Sequence, residues 1–370
     1  MEVGTLCALL PAGVGMTTHG EHGTMLKALW KRIAPWLPWA GVLVLLALLI
    51  QAVHPAALGA ALRRANLWLL LPVTGSVLAA MVLRGIRWHL LLQPIAAPNT
   101  LPDSIILFTA AQAALLIPGG QFLLPVLQRS QHGTLVRRSV PTILVQELVY
   151  GLLVLPAALP GVPPYHPAGW MLLVAFLFNA GTGIFLWQRR VLSRALGMVE
   201  RIPFVRDRVH DVGELQEHFV AVASSKAAVW GTVFDMAAIG LAGFGLYVSL
   251  RAVGALQITW VESTAVYALG SSVGTLSALP GGVGANEDVS TLVLNHLGLA
   301  AGPAAAATLL FRATNLIVNT GVGWIVLLLA RRRLKVHPSI KGLAAAVRGA
   351  EKQAVQGPRA EPAPERHLKE

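Results

Sequence analysis

Long apolar runs alternate with short basic segments along most of the chain. A helix needs about 20 residues to cross roughly 30 Å of hydrocarbon. Runs near that length cover residues 36–53, 67–83, 140–160, 168–187, 227–250 and 303–330. The pattern predicts an all-α polytopic membrane protein with six full spans.

Two further apolar segments, 104–127 and 263–298, are interrupted halfway by a Pro-Gly-Gly turn. Such a turn ends a helix, because proline lacks a backbone donor and glycine adopts dihedral angles that other residues avoid. Each arm has about 12 to 17 residues at about 1.5 Å per residue, which is short for a span. We therefore predict two re-entrant helical hairpins. Their turns contain Pro118, Gly119 and Gly120 in the first hairpin and Pro280, Gly281, Gly282 and Gly284 in the second.

The basic residues support this topology. If both hairpins leave by the side they entered and the N-terminus is cytoplasmic, 25 of the 29 lysines and arginines fall on the cytoplasmic side. Arg84 and Arg87 are among them, in a predicted loop after the second span. A full span at 104–127 would move the segment RSQHGTLVRR outside, against the positive-inside rule. We predict the cytoplasmic (inner) membrane, with both termini in the cytoplasm.

The two halves of the chain read alike. Each has a span, a Pro-Gly-Gly hairpin, a histidine-containing exit and a span with one charge, Glu147 in the first half and Arg312 in the second. Because an odd number of spans separates the hairpins, they enter from opposite faces. This order predicts an inverted repeat whose broken helices meet near the membrane midplane. The alternative is coincidence, since the motif is short and apolar sequences align easily.

The predicted organisation has five parts. They are a cytoplasmic segment 1–35, a first membrane half 36–187, a basic cytoplasmic loop 188–226, a second membrane half 227–333 and a tail 334–370 that we expect to be disordered. In the loop, apolar residues recur every three or four positions from Val205 to Val222. That spacing predicts an amphipathic helix lying on headgroups or on the protein itself. Residues 1–24 are weakly patterned, so we expect a disordered start or initiation at Met25.

Composition agrees with the membrane assignment and narrows the class of partner. Only 12% of the residues are charged and 55% are hydrophobic, whereas a soluble domain has roughly 25% charged residues. The net charge of +12 raises nucleic acid as a partner. The basic residues flank apolar runs, however, so topology explains them and we expect no nucleic acid. The single cysteine, Cys7, cannot form a disulfide within the chain.

Three charged residues fall inside predicted spans, where an ionisable group costs several kcal/mol unless it is paired or hydrated. Counted from the ends of their spans, Glu147 is about 12 Å deep and Arg312 about 14 Å deep. Both therefore approach the midplane, and we expect them to meet. They would form a salt bridge that locks the halves, a polar centre that holds a headgroup, or both. Asp235 is a candidate for proton coupling or for a bond to a neighbouring helix.

The second turn is followed by three polar residues in the segment LPGGVGANED at 279–288. Asn286 is placed to cap the next helix, with Glu287 and Asp288 in its first turn, where the helix dipole favours carboxylates. Irregular backbone inside a membrane must line protein or a wet cavity. The alternative is therefore that Asn286 and Glu287 line a path for a lipid headgroup or a coupling ion.

The stretch LPGGVGANE, the helix end at 297–298 and the span carrying Arg312 resemble the transmembrane region of the lysylphosphatidylglycerol synthases. The resemblance covers roughly residues 36–335. That region also occurs as a stand-alone flippase-like membrane protein in bacteria and archaea. The family's earlier motif is partly kept as PGGQ at 118–121, followed by Arg129 and by QEL at 146–148. The resemblance implies a flippase-like role in lipid transport and adds Arg129 to the candidate residues.

We therefore expect a transporter that moves or presents an amphiphilic lipid across the membrane. The candidate residues of the headgroup path are Glu147, Arg312, Asn286, Glu287, Asp235 and Arg129. No Walker A motif occurs, so we expect passive or ion-coupled movement. The histidines are scattered and form no HExxH motif, so we expect no metal, no cofactor and no enzymatic activity. The alternatives are an intramembrane lipid-modifying enzyme, or a scaffold for lipid-biosynthesis enzymes such as the hopanoid or glycolipid pathways of some stand-alone relatives.

Overall fold

The computed structural model describes residues 55–95, 97, 99–117, 120–161, 167–192, 194, 216–277, 280–334, 342–343, 345–346 and 349. The predicted span 36–53, the candidate start Met25, most of the basic loop and most of the tail lie outside the described residues. Pro118 and Gly119 of the first turn also lie outside them. Within the described ranges every regular element is a helix.

The helices account for the predicted spans that fall in the described ranges. They are α1 Pro55–Arg64, α2 Leu70–Leu92, α3 Leu101–Ala111, α4 Leu123–His132, α5 Val136–Ala158, α6 Pro167–Trp187, α7 Lys226–Ala252, α8 Trp260–Leu276, α9 Ala285–His296, α10 Ala301–Leu329 and α11 Arg331–Leu334. The helices α2, α5, α7 and α10 are long and apolar enough to cross a membrane. In α6 the apolar stretch Leu172–Trp187 is shorter.

Each predicted hairpin is a pair of helices joined by a break, α3 with α4 and α8 with α9. Both first arms open on one pattern: a threonine N-cap, an acidic residue three positions later, and a serine. The threonine side chain accepts the backbone N–H of the acidic residue, which satisfies a donor that the helix start would leave unpaired. The residues are Thr100, Asp103 and Ser104 in the first hairpin and Thr259, Glu262 and Ser263 in the second.

The two arms of each hairpin run antiparallel. In the first hairpin, His132 Nε2 lies 3.9 Å from Asp103 Oδ2, so the start of α3 and the end of α4 lie together. In the second, a Cβ atom added to Gly274 of α8 would lie 3.3 Å from Asn286 Cβ and 3.4 Å from Gly282 Cα. The first hairpin therefore returns toward the end where it begins, and the arms of the second pack against each other beside their turn.

Helices α2 and α7 form the most extensive helix contact in the described structure. They run antiparallel: the Asn66 N–H, just before α2, donates to the Ala252 carbonyl at the end of α7 at 2.9 Å. At the opposite end of the interface Arg87 of α2 pairs with Asp235 of α7. The interface therefore joins one span of each half.

Helix α2 is longer than the sequence pattern predicts. The predicted span ends at residue 83, whereas α2 continues to Leu92. Arg84 and Arg87 thus lie inside a membrane helix, and their placement in a cytoplasmic loop is wrong. The helix continues because apolar residues resume at Trp88, which is fully buried, so the two arginines interrupt the run without ending it.

Four other kinds of helix contact occur in both halves. Helix α2 packs on α3 as α7 packs on α8, and α4 packs on α5 as α9 packs on α10. Across the halves, α3 contacts α10 as α8 contacts α5, and α2 contacts α10 as α7 contacts α5. Exchanging the helices of one half for those of the other leaves this set of contacts unchanged.

Large apolar side chains cover the outer surface. Val174, Leu177 and Phe178 of α6 are 65%, 58% and 58% exposed, which suits contact with lipid rather than water. Exposed tryptophans lie near the helix ends, as do the aromatic residues that anchor proteins at membrane interfaces. They are Trp68, Trp170, Trp187, Trp230 and Trp260. The chain is an integral membrane protein.

The end of the predicted amphipathic helix lies on the protein. Residues 216–223 are helical, and Phe219 and Val222 are buried in a cluster with Leu91 and Val145. Gln216 Nε2 donates to the Leu186 carbonyl at 2.9 Å. The described part of this helix therefore packs on the protein itself, which is one of the two predicted locations.

Candidate functional site

The second hairpin turn depends on three glycines with positive φ: Gly281 at 61°, Gly282 at 65° and Gly284 at 92°. A side chain would be strained in this conformation. Helix α9 begins at Ala285 with Gly284 as its N-cap, so the prediction that Asn286 is the cap is wrong. Glu287 satisfies this helix start instead, because its Oε2 accepts the Gly284 N–H at 2.7 Å.

Arg312 of α10 holds the same turn from the neighbouring helix. Its Nε donates to Glu287 Oε1 at 3.0 Å, and its Nη2 donates to the Gly281 carbonyl at 2.6 Å. Glu287 and Arg312 are only 2% and 8% exposed. Each therefore neutralises the buried charge of the other. We call Gly281, Gly284, Glu287 and Arg312 the turn latch.

The partner of Arg312 is therefore Glu287, and the predicted pair of Arg312 with Glu147 is wrong. Counting residues from the span ends predicts how deep each residue lies along its helix. It does not predict on which side of the helix, or next to which neighbouring helix, the residue lies. Arg312 faces the hairpin turn, whereas Glu147 lies on α5, beside the charges of α2 and α7.

Asn286 packs inside the second hairpin. Its Oδ1 accepts a hydrogen bond from Ser290 Oγ at 3.3 Å. A Cβ atom added to Gly270 of α8 would lie 2.9 Å from Asn286 Oδ1 and would overlap the Ser290 hydroxyl. The side chain thus fills the seam between α8 and α9, and Gly270 makes the space for it.

The two hairpin turns contact each other. A Cβ atom added to Gly281 would lie 3.3 Å from Leu116 Cδ2 and 3.8 Å from the Leu115 carbonyl oxygen. Gly120 of the first turn lies against backbone, since a Cβ atom there would overlap the Ala114 carbonyl. The broken helices of the two halves therefore meet at their turns.

A second group of charges lies between α2, α5, α7 and α8. Its buried part is the ion pair of Arg87 with Asp235, which are 3% and 1% exposed. Arg87 Nε and Asp235 Oδ2 are buried without a hydrogen-bond partner among the described residues. Asp235 of the second membrane half therefore binds Arg87 of the first half. This agrees with the predicted bond to a neighbouring helix.

Arg84 lies one helical turn from Arg87 and is half-buried. Its Nη2 donates to the Tyr267 hydroxyl at 3.3 Å, and its Cζ lies 5.8 Å from the centroid of the Tyr150 ring. The Tyr150 hydroxyl and Ser271 Oγ are 2.8 Å apart. Arg84 is thus surrounded by hydroxyl groups and by an aromatic face that favours a cation.

Glu147 belongs to the same group. It precedes Tyr150 by one turn of α5, its side chain is exposed, and the charges of Arg87, Arg84 and Asp235 act on its carboxylate. The structure gives it no ion pair closer than 4 Å with a described residue. We call Arg84, Arg87, Glu147, Tyr150, Asp235, Tyr267 and Ser271 the arginine cluster.

An aromatic contact joins the two groups. The Tyr267 ring meets the Phe311 ring edge to face, with centroids 5.8 Å apart and planes at 89°. Phe311 directly precedes Arg312 in α10. The arginine cluster and the turn latch are therefore neighbours across one ring pair.

Sequence reasoning missed Arg84, Arg87, Tyr150 and Tyr267. A signal for the arginines was available, because a spacing of three residues places both on one helix face and apolar residues resume at once after Arg87. The counting of positive charges in loops assigned them to the cytoplasm instead. The tyrosines carried no such signal.

The remaining predicted residue, Arg129, lies apart from these groups in sequence position and surroundings. It is exposed in the last turn of α4, near the end of the first hairpin. No group of three or more metal-ligating side chains occurs among the residues that the structure describes.

An open apolar groove of about 360 Å³ lies at the opposite end of α2 from Arg84. It is lined by Leu67, Trp68, Leu70, Leu71 and Thr74.

Fold and site together define an all-helical integral membrane protein with two packed halves and charged side chains within its spans. Residues 36–323 match the model of the lysylphosphatidylglycerol synthase TM region. The chain belongs to this family, which confirms the resemblance seen in the sequence and assigns the protein to lipid handling in membranes. No curated protein matches the chain significantly.

Proposed function

We propose that this protein is a flippase-like transporter, which moves or presents an amphiphilic lipid across the cytoplasmic membrane. The observation that carries the proposal is the accessibility of Arg84 and Glu147 at mid-helix. Arg84 is about 12 Å from the end of α2 and Glu147 about 16 Å from the start of α5. Charged groups at such depth are expensive and mark pathways for polar substrates.

The packing of the helices supports an inverted repeat with two re-entrant hairpins. The matched contacts of the two halves, the antiparallel arms and the meeting turns are the features expected of that architecture. The shared threonine–acid–serine opening of α3 and α8 adds a sequence correspondence. In such transporters the substrate lies near the midplane, at the interface of the repeats.

The two charged groups would have different roles. In the turn latch, the charges of Glu287 and Arg312 are neutralised by each other and by turn backbone, which suits a structural role. In the arginine cluster, Arg87 and Asp235 form the lock between halves, and Arg84 and Glu147 face the headgroup. The headgroup path thus keeps Glu147 and gains Arg84. Asp235 moves to the lock between the halves, and Asn286, Glu287 and Arg312 support the turn.

Lipid movement in proteoliposomes tests the proposal. Purified protein is reconstituted with a trace of fluorescent phospholipid, and the inner-leaflet lipid that becomes accessible to a membrane-impermeant quencher is measured over time. We expect the protein to speed exchange between leaflets, and Arg84→Gln or Glu147→Gln to slow it by about tenfold or more. Arg64→Gln, at an exposed position of α1, is the matched control.

Vesicles containing the protein that exchange lipid no faster than protein-free vesicles would contradict transport. The same vesicles distinguish the other two candidates. Chemical turnover of the lipid, followed by mass spectrometry, would identify an intramembrane lipid-modifying enzyme. Copurification of lipid-synthesis enzymes, without movement or turnover, would identify a scaffold.

Cysteine labelling tests the proposed topology. After Cys7→Ser, Leu135→Cys between α4 and α5 and Leu256→Cys between α7 and α8 provide exposed single thiols. An impermeant maleimide added outside intact cells should label position 256, whereas position 135 should react only after permeabilisation. Labelling of position 135 from outside would make the first hairpin a full span and reject the inverted repeat.

A further inference from the structure

We infer that the arginine cluster recognises a phosphate and an amine together, the headgroup chemistry of a zwitterionic aminophospholipid. This inference rests on the proposed function and specifies the cargo. It depends on how charge is distributed among Arg84, Arg87, Asp235 and Glu147. The two buried residues are already paired, and the two accessible ones carry opposite charges.

The phosphate side of the cluster is Arg84. A guanidinium has five N–H donors in a planar fork, and among the described contacts Tyr267 accounts for one of them. The remaining donors can bind a phosphate in the bidentate geometry that arginine favours. The Tyr150 hydroxyl and Ser271 Oγ lie 2.8 Å apart. Because one of them donates to the other, the pair adds one further donor.

The amine side is Glu147. A carboxylate only accepts hydrogen bonds, and an ammonium group only donates them. Glu147 is exposed on the span, one turn of α5 from the ring that lies beside Arg84. An ammonium group joined to the phosphate would therefore find the one accessible carboxylate of the cluster.

Net charge decides between headgroup classes. Arg87 with Asp235 and Arg84 with Glu147 each sum to zero, so the cluster is neutral as a whole. A zwitterionic headgroup leaves it neutral and pairs both accessible charges. An anionic headgroup without an amine would pair Arg84 but leave the Glu147 carboxylate unpaired beside a phosphate, where like charges repel strongly in a medium of low dielectric constant.

Lipid binding to the purified full chain in detergent tests the inference. Native mass spectrometry compares phosphatidylethanolamine with phosphatidylglycerol of the same acyl chains. We expect the wild type to prefer phosphatidylethanolamine by about tenfold, and Glu147→Gln to remove the preference. Arg84→Gln should weaken both lipids, and Arg64→Gln should change neither.

Equal binding of the two lipids by the wild type, or a preference that survives Glu147→Gln, would overturn the inference. Thermal unfolding of each variant confirms that the compared proteins are folded. Soluble phosphoethanolamine identifies the source of the headgroup: displacement of the lipid at millimolar concentration means that the headgroup alone binds, and no displacement restricts the site to the intact lipid.

The transport proposal and the headgroup proposal can be rejected independently of each other. Protein that speeds the exchange of both lipids equally would support a transporter and reject headgroup selection. Selective binding without leaflet exchange would reject transport and leave the headgroup site standing.

Discussion

In the turn latch, Arg312 and Glu287 satisfy each other and the backbone of one hairpin turn. In the arginine cluster, Arg84 has a tyrosine hydroxyl and a ring beside it, and Glu147 is exposed without a close ion pair among the described residues. Both groups place charge inside the spans. The proposed roles follow from this difference: a buried charge with complete partners suits a structural role, and accessible charge suits a binding role.

The largest expected effect follows from breaking the turn latch. Arg312→Gln leaves the Glu287 carboxylate buried without its cation, which should lower the free energy of unfolding by about 3–5 kcal/mol. The double variant Glu287→Gln with Arg312→Gln should recover part of this loss, because no unpaired charge remains. Thermal unfolding in detergent, with folded yield, measures both.

A second cycle serves as the control for that result. Glu147→Gln with Arg312→Gln should show additive losses, since the two residues do not meet. Coupling between Glu147 and Arg312, with none between Glu287 and Arg312, would contradict the assignment of the latch.

The next largest loss of stability should come from a substitution in the seam between α8 and α9. Gly270→Ala inserts a methyl group against Asn286 and Ser290 and should destabilise the protein by about 1–3 kcal/mol. Gly75→Ala is the matched control, because nothing lies within 4 Å of a Cβ atom there, and it should be neutral or stabilising. Equal melting temperatures for the two variants would mean that α8 and α9 are not closely packed.

The helix starts of the two hairpins allow a direct comparison. Thr259→Ala and Thr100→Ala each remove a threonine cap, and each should cost about 1 kcal/mol. Similar shifts in melting temperature would support equivalent roles in the two halves. A loss confined to one hairpin would show that the shared pattern has no shared structural role.

The smallest expected effect on stability is at the arginine cluster. Glu147→Gln should change the free energy of unfolding by less than about 0.5 kcal/mol, as for an exposed substitution, while lipid movement slows by about tenfold or more. A large drop in melting temperature would instead place Glu147 among the structural charges, with Glu287.

The helices and the breaks between α3 and α4 and between α8 and α9 could be predicted, because apolar length and Pro-Gly-Gly turns are local signals. The second turn was found at Gly281 and Gly282, and the spans within a few residues of their ends, apart from α2. The partner of Arg312 could not be predicted, because depth along a helix leaves the lateral position open. Glu287 lies 25 positions from Arg312 in sequence, and only the packing of α9 on α10 brings them together.

The start of α9 shows a similar limit. Sequence favours Asn286 as a cap because of its side chain, yet the turn needs positive φ at Gly284, so the helix begins two residues earlier than that choice implies. Arg84 and Arg87 were misplaced because a statistical rule for loops was applied to residues that pack inside the bundle.

The edge-to-face contact of Tyr267 with Phe311 has a mechanical consequence. Tyr267 touches Arg84, and Phe311 adjoins the arginine that holds the second turn. A rotation of α10 that displaces one ring must displace the other, since the edge of one lies against the face of its neighbour. Headgroup binding at the arginine cluster and rearrangement of the second hairpin turn would therefore be coupled through this ring pair.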